Sequence, residues 1–144
     1  MSDQVVTNGK AAAGVLICDD SEAMRSLLGV IVTTSLGMRV VGEASDGNEA
    51  IVEAARLHPD VILLDLAMPR RSGLEALPEL RRMAPDAQVI VFSGFATTAV
   101  AEHVIGLGAA RYLEKGAQPD AIVSTIEEVL ADAAGVHAIS SALA

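Results

Sequence analysis

The chain has 144 residues, with 10 Lys and Arg against 19 Asp and Glu, for a net charge of −9. That is one domain's worth of chain, long enough to bury a core without staples. Its acidic balance argues against a nucleic-acid face of its own and against adsorption to anionic membranes, since both need clustered positive charge. Hydrophobic residues make up 51% but aromatics only 2%, so the core must be built from Val, Ile, Leu and Ala, which suits strands covered by helices on both faces. Cys18 is the only cysteine; no internal disulfide can form, and it reads as a small core residue. The apolar run 11–18 is short and ends in charge, unlike a secretory or membrane segment, so the expected location is cytoplasmic.

In chain order, residues 1–14 are small or polar and read as a flexible N-terminal tail. Val15–Cys18 is the first apolar run of strand length. It ends in Asp19 and Asp20, and a helical pattern follows, marked by Met24, Leu27, Leu28 and Ile31. The second run, Arg39–Ala44, leads into "DGNE", where Asp46 and Glu49 have the spacing of a capping box. The third, Val61–Leu66, continues as "DLAMPRRSGLE", in which Ser72 and Glu75 form a second box. Pro78 falls inside the helical pattern that follows and is expected to kink or delay it, and Pro85 is expected to end it. The fourth run is Gln88–Phe92 and the fifth Ala110–Leu113. Pro119 then stands where a first-turn proline belongs, ahead of a helix marked by Ile122, Val123, Ile126, Val129 and Leu130. Residues 134–144 are alanine-rich and read as a C-terminal tail.

Five strands alternating with five helices give βαβ units with right-handed crossovers. The predicted fold is α/β, a (βα)5 doubly wound, five-stranded parallel sheet flanked by helices on both faces, in one domain over residues 15–133. In such sheets ligands bind at the carboxyl ends of the strands. The first strand delivers Asp19 and Asp20 there, the third Asp65, the fourth Ser93 and the fifth Lys115. Three carboxylates together push one another toward protonation unless a cation neutralises them. All-oxygen ligation by few carboxylates suits Mg²⁺, with Mn²⁺ as the alternative. A carboxylate beside such a metal can attack phosphorus. The transferred phosphoryl oxygens then need a metal, a cationic side chain and a hydrogen-bond donor, which Asp20, Lys115 and Ser93 would supply.

These residues carry a resemblance. The acids of "CDDS", the "DLAMPRRSG" stretch, Ser93, Tyr112 and Lys115 resemble, in order, spacing and strand-end placement, the receiver domain of two-component response regulators (the CheY-like family) over about residues 15–133. The resemblance implies strand order 2-1-3-4-5 and a histidine kinase or phosphotransfer protein that donates a phosphoryl group to Asp65. It implies a metal held by Asp20, Asp65 and the backbone carbonyl of Ala67, with Asp19 bound through water. Ser93 becomes the switch hydroxyl and Tyr112 the aromatic switch, signalling through the face of helix four, strand five and helix five. The protein is then a signalling receiver rather than an enzyme, although it catalyses its own phosphorylation from small donors and its own slow dephosphorylation. Its output is an unknown downstream protein, with no direct nucleic-acid or membrane contact, from a monomer or a phosphorylation-dependent homodimer. A stand-alone regulator is the leading reading; a receiver cut from a longer transcriptional regulator and a phosphorelay intermediate are the alternatives.

Three positions depart from the family pattern. Gly116 follows Lys115 where the family usually carries a proline with a cis bond. Ala67, two residues after Asp65, and Phe95, two after Ser93, lack polar side chains that could orient an attacking water. Taken singly the motifs have bland readings: Asp-Asp before a helix is usually a cap, Ser-Gly a turn, a Lys at an edge strand solvated. His58, His103 and His137 show no ligand spacing, and "RRSG" and "LRRM" read as solvated faces. A haloacid-dehalogenase type phosphatase would need Asp-x-Asp on the first strand. A flavodoxin-like binder would need a hydroxyl- and glycine-rich loop there. Neither pattern is present.

Overall fold

A computed structural model describes residues 6–7, 10–94 and 97–143, with side-chain surroundings given for 11–94 and 97–135. The strands of the main sheet are β1 (Ala13–Cys18), β2 (Met38–Ala44), β3 (Val61–Leu64), β4 (Gln88–Ser93) and β5 (Arg111–Glu114). The helices are α1 (Glu22–Thr33), α2 (Gly47–Leu57), α3 (Gly73–Met83), α4 (Thr98–Gly106) and α5 (Pro119–Leu143). The sheet is parallel, in the order β2-β1-β3-β4-β5, as predicted.

Side chains alternate across a strand, and here the alternation sorts the apolar runs into two cores. Val15, Ile17, Val61, Leu63, Ile90 and Phe92 face α1 and α5, meeting Leu28, Val32, Ile122 and Ile126. Leu16, Cys18, Ile62, Leu64, Val89 and Val91 face α2, α3 and α4, meeting Ala50, Ala54, Leu77, Leu80 and Val104. The alanines on α2 let that helix lie close to the sheet, and large aliphatics elsewhere fill the volume that scarce aromatics leave. Truncating one such side chain, as in Leu77→Ala, costs about 2–5 kcal/mol.

Several local expectations change. β1 starts at Ala13 rather than Val15, because the Ala13 amide bonds to the Gly37 carbonyl (2.8 Å) and the Gly14 amide to Asp60 Oδ2 (2.8 Å). Within the segment expected as a tail, Val6–Thr7 pairs antiparallel with Lys10–Ala11. Helical backbone also runs past residue 133 to Leu143, as an alanine-rich stretch favours. Leu27, one of the four residues that mark the helical pattern of α1, is 53% exposed, while Val32 is buried.

Pro78 neither delays nor interrupts α3, because the complete Ser72–Glu75 capping box starts the helix at Gly73. The missing Pro78 N–H deprives only the Leu74 carbonyl, which lies in the partly exposed first turn. The other box is half formed. Asp46 caps the Glu49 amide (2.9 Å), but the Glu49 carboxylate turns to the Ser45 hydroxyl (2.9 Å) instead of the Asp46 amide. Among the described residues no helix is long and apolar enough to cross a membrane.

Candidate functional site

The hydrogen-bond ladder extends one residue beyond the strands at their carboxyl ends, and that extra rung carries the site. The Asp19 amide donates to the Ala44 carbonyl (3.0 Å), the Asp65 amide to Cys18 (2.9 Å) and the Lys115 amide to Ser93 (2.9 Å). All five strands therefore take part in holding these backbones in fixed register, and the side chains of the site emerge at one edge. Asp19, Asp65 and Ser93 are buried, while Asp20 is exposed at the rim.

The side chains converge. One oxygen from each of Asp19, Asp20 and Asp65 lies within 4.8 Å of the others. Lys115 reaches across from β5, its Nζ 2.9 Å from Asp19 Oδ2 and 3.0 Å from Asp65 Oδ2. Asp19 Oδ1 accepts from the Ser21 amide (2.8 Å) and Asp65 Oδ1 from the Ala67 amide (3.2 Å). Despite the nearby ammonium, the buried Asp19 Oδ2 receives no well-aligned hydrogen bond among the described residues.

Burial pushes the Asp65 carboxyl above the ordinary carboxylate range; the Lys115 hydrogen bond opposes this and the Asp19 charge reinforces it. For Lys115, burial alone would lower the pKa, but contacts with Asp19 and Asp65 outweigh it and hold the ammonium above the ordinary lysine value. Three carboxylates against one ammonium leave the cluster net negative. All-oxygen donors and residual negative charge fit a hard divalent cation. The Cys18 thiol beside them is raised by burial first and by Asp19 second, so it stays a neutral core group.

Tyr112 is half-buried against the core on the α2–α4 side, and its hydroxyl is enclosed without a hydrogen-bond partner among the described residues. Ala67 is exposed. Phe95 lies outside the described residues. No peptide bond is cis among the described residues, so Lys115–Gly116 is trans.

Other contributors went unrecognised in the sequence. Arg25 Nη1 donates to the Asp19 carbonyl (2.7 Å) while its Nε pairs with Glu43 (3.1 Å), bracing the first strand end from α1. Gly73 lets the start of α3 close onto the third strand end, since a β-carbon there would sit 1.9 Å from the Asp65 carbonyl oxygen. Its place directly after the Ser72 cap was the available signal.

The pattern of the response regulator receiver domain matches residues 15–127. The chain is 36% identical over 115 residues to the chemotaxis protein CheY of Thermotoga maritima, an alignment covering 80% of this chain and 95% of that protein. It is 37% identical over 115 residues to the response regulator UvrY of Escherichia coli, covering 80% of this chain but 53% of the relative, so it spans about half the length of such regulators. Among solved structures it resembles a LuxR-family two-component response regulator from Aurantimonas (TM-score 0.80, 29% identity, covering 84% of this chain and 86% of that one). It also resembles a chain of the CheX–CheY–BeF3–Mg²⁺ complex from Borrelia burgdorferi (TM-score 0.79, 25% identity, 85% and 91% covered). Receiver domains are signalling proteins that bind Mg²⁺ at an aspartate cluster and interact with histidine kinases or phosphotransfer partners. The strand order, the acidic edge crossed by a lysine and these likenesses agree: the chain belongs to the receiver domain family of two-component response regulators.

Proposed function

We propose that the protein accepts a phosphoryl group from a histidine kinase, or from a phosphotransfer protein, on Asp65. The observation that carries this reading is the single ammonium of Lys115 set between the buried Asp19 and Asp65, with Asp20 beside them. A lysine so placed draws the carboxylates together and offers a positive charge to incoming phosphoryl oxygens. Asp65 attacks phosphorus, the donor's P–N bond breaks, and the electron pair leaves with the histidine nitrogen.

Asp20, Asp65 and the Ala67 carbonyl would hold Mg²⁺ directly, with Asp19 acting through water. When bound, the cation neutralises the phosphoryl oxygens and the crowded carboxylates. Ser93 donates to a phosphoryl oxygen after transfer. The half-buried Tyr112, its hydroxyl enclosed, reports that event to the surface built from α4, β5 and α5, where a downstream protein reads it. Likeness to a CheY covered over nearly its whole length favours output by protein contact. Likeness to UvrY favours instead a receiver that works within a longer regulator.

Incubation with acetyl phosphate and Mg²⁺ tests the reading by intact mass. One phosphoryl addition that Asp65→Asn abolishes is the expected result, and labelling that survives the substitution overturns it.

A further inference from the structure

The loop from Ala67 to Ser72, which follows Asp65, is tied to the first turn of α2 rather than left to itself. Arg70 Nε lies 2.6 Å from Oδ2 of Asp46, a carboxylate with only 5% of its side chain exposed. The other Asp46 oxygen caps α2 at the Glu49 amide. One residue on, the Arg71 carbonyl accepts from the Gly47 amide at 2.7 Å, and a β-carbon on Gly47 would stand 2.7 Å from that same oxygen. Arg70 itself has a left-handed backbone (φ 63°), which a residue with a β-carbon adopts only where its surroundings demand it. A long, otherwise exposed side chain is thus anchored on a buried acid, at a strained backbone position, between the two loops that flank the acidic edge.

The geometry points to Arg70 and Asp46 as a positioning pair for the metal site. By fixing Arg70, Asp46 sets the course of the chain between Asp65 and the start of α3, and so the place of the Ala67 backbone. The Ala67 amide already donates to Asp65 Oδ1. Its carbonyl is the group assigned above to the cation, so this inference rests on that assignment. Neither residue is assigned to the cation or to the phosphoryl group; the pair acts through the loop. Partners that orient metal ligands without binding metal commonly govern affinity as strongly as weak ligands do.

The test uses Asp46→Asn, which retains a capping oxygen but loses the charge, Arg70→Ala, Arg70→Lys and the Asp46→Asn/Arg70→Ala double variant. Mg²⁺ affinity is measured by calorimetric titration. Hydrogen exchange at the Gly47 and Gly73 amides and the metal-free melting temperature are measured alongside. Asp46→Asn and Arg70→Ala should each weaken Mg²⁺ binding by roughly tenfold. The double variant should be no weaker than either, Arg70→Lys should recover part of the loss, and exchange at the two amides should accelerate. Faster exchange or a lower melting temperature with unchanged Mg²⁺ affinity would make the pair purely structural and overturn the inference. Unchanged exchange and unchanged affinity overturn it as well. A parent protein that binds no Mg²⁺ refutes the assignment of the metal site itself, and with it this role, a result distinct from both. Arg70→Gly, which relieves the left-handed backbone while removing the guanidinium, substitutes for Arg70→Ala if that variant fails to fold.

Discussion

Lys115 Nζ stands 3.0 Å from Asp65 Oδ2 although their strands, β5 and β3, are not neighbours, because the lysine side chain passes over the end of β4 where Ser93 lies. One ammonium therefore gathers acids from β1 and β3 across the end of β4. The cluster is under-neutralised, and that imbalance has measurable consequences.

Asp65→Asn should stabilise the metal-free protein at neutral pH. The raised pKa of Asp65 means the folded state holds its proton more tightly than the unfolded chain, so ionisation lowers stability as pH rises through the folded value. This is the reverse of an ordinary paired carboxylate. Removing the charge should raise the melting temperature at neutral pH. The gain should vanish in acid, where Asp65 is protonated anyway. Melting curves from pH 4 to pH 8 in chelator check this, and a variant less stable than the parent throughout would contradict it.

Adding Mg²⁺ should raise the melting temperature of the parent. At tenfold above its dissociation constant the expected stabilisation is about 1.4 kcal/mol. Asp20→Ala should remove most of that shift at the same concentration, because the exposed acid contributes little to the metal-free fold and is assigned a direct ligand role. Scanning calorimetry of both proteins with and without Mg²⁺ reads the difference.

Gly73→Ala should be among the more damaging single-methyl changes available. The new carbon would meet the Asp65 carbonyl oxygen at 1.9 Å, so backbone must move, at a cost of about 1–3 kcal/mol, and Mg²⁺ binding should weaken with it. Gly29→Ala makes the contrast, since a β-carbon there has nothing within 4 Å and a helical glycine replaced by alanine gains up to about 1 kcal/mol. Chemical denaturation of the pair tests the opposition in sign.

Phosphoryl lifetime should be long. Loss of the group from Asp65 requires an in-line water, and its catalysis is largely positioning. Ala67, two residues after the acceptor, is exposed yet offers no side-chain hydrogen bond; Phe95, two after Ser93, offers none either. Ala67→Asn combined with Phe95→Glu should shorten the lifetime by up to about 10²-fold. Equal decay rates in parent and double variant would leave these two positions without that role.

The sheet and the placement of polar residues at its edge were legible because both are written locally. A run such as Val15–Cys18 announces a buried strand, and the polar residue that ends it must lie at the strand's end. Asp19, Asp65, Ser93 and Lys115 needed only that logic, applied strand by strand. Arg25 and the Asp46–Arg70 pair were not legible, since each acts through a contact that exists only after the elements have packed. Asp46 announced itself as a cap, and nothing nearby revealed that its second oxygen would be taken by an arginine 24 residues away. Pro78 misled for a related reason: propensity argued against a helix that Ser72, Glu75 and the burial of Ala76, Leu77 and Leu80 together secure.

The scarcity of aromatic residues, which forced an aliphatic core, has a further use. With no tryptophan and Tyr112 as the sole tyrosine, emission excited beyond the phenylalanine absorption band comes from one ring, whose hydroxyl is shut away from solvent. That ring is the one assigned to move when Asp65 is modified. The molecule therefore carries its own optical probe at the switch. Any event that opens the enclosure of the Tyr112 hydroxyl, whether cation binding, phosphoryl transfer or the docking of a partner on β5, should register in unlabelled protein as a change in tyrosine fluorescence, with no tryptophan to mask it.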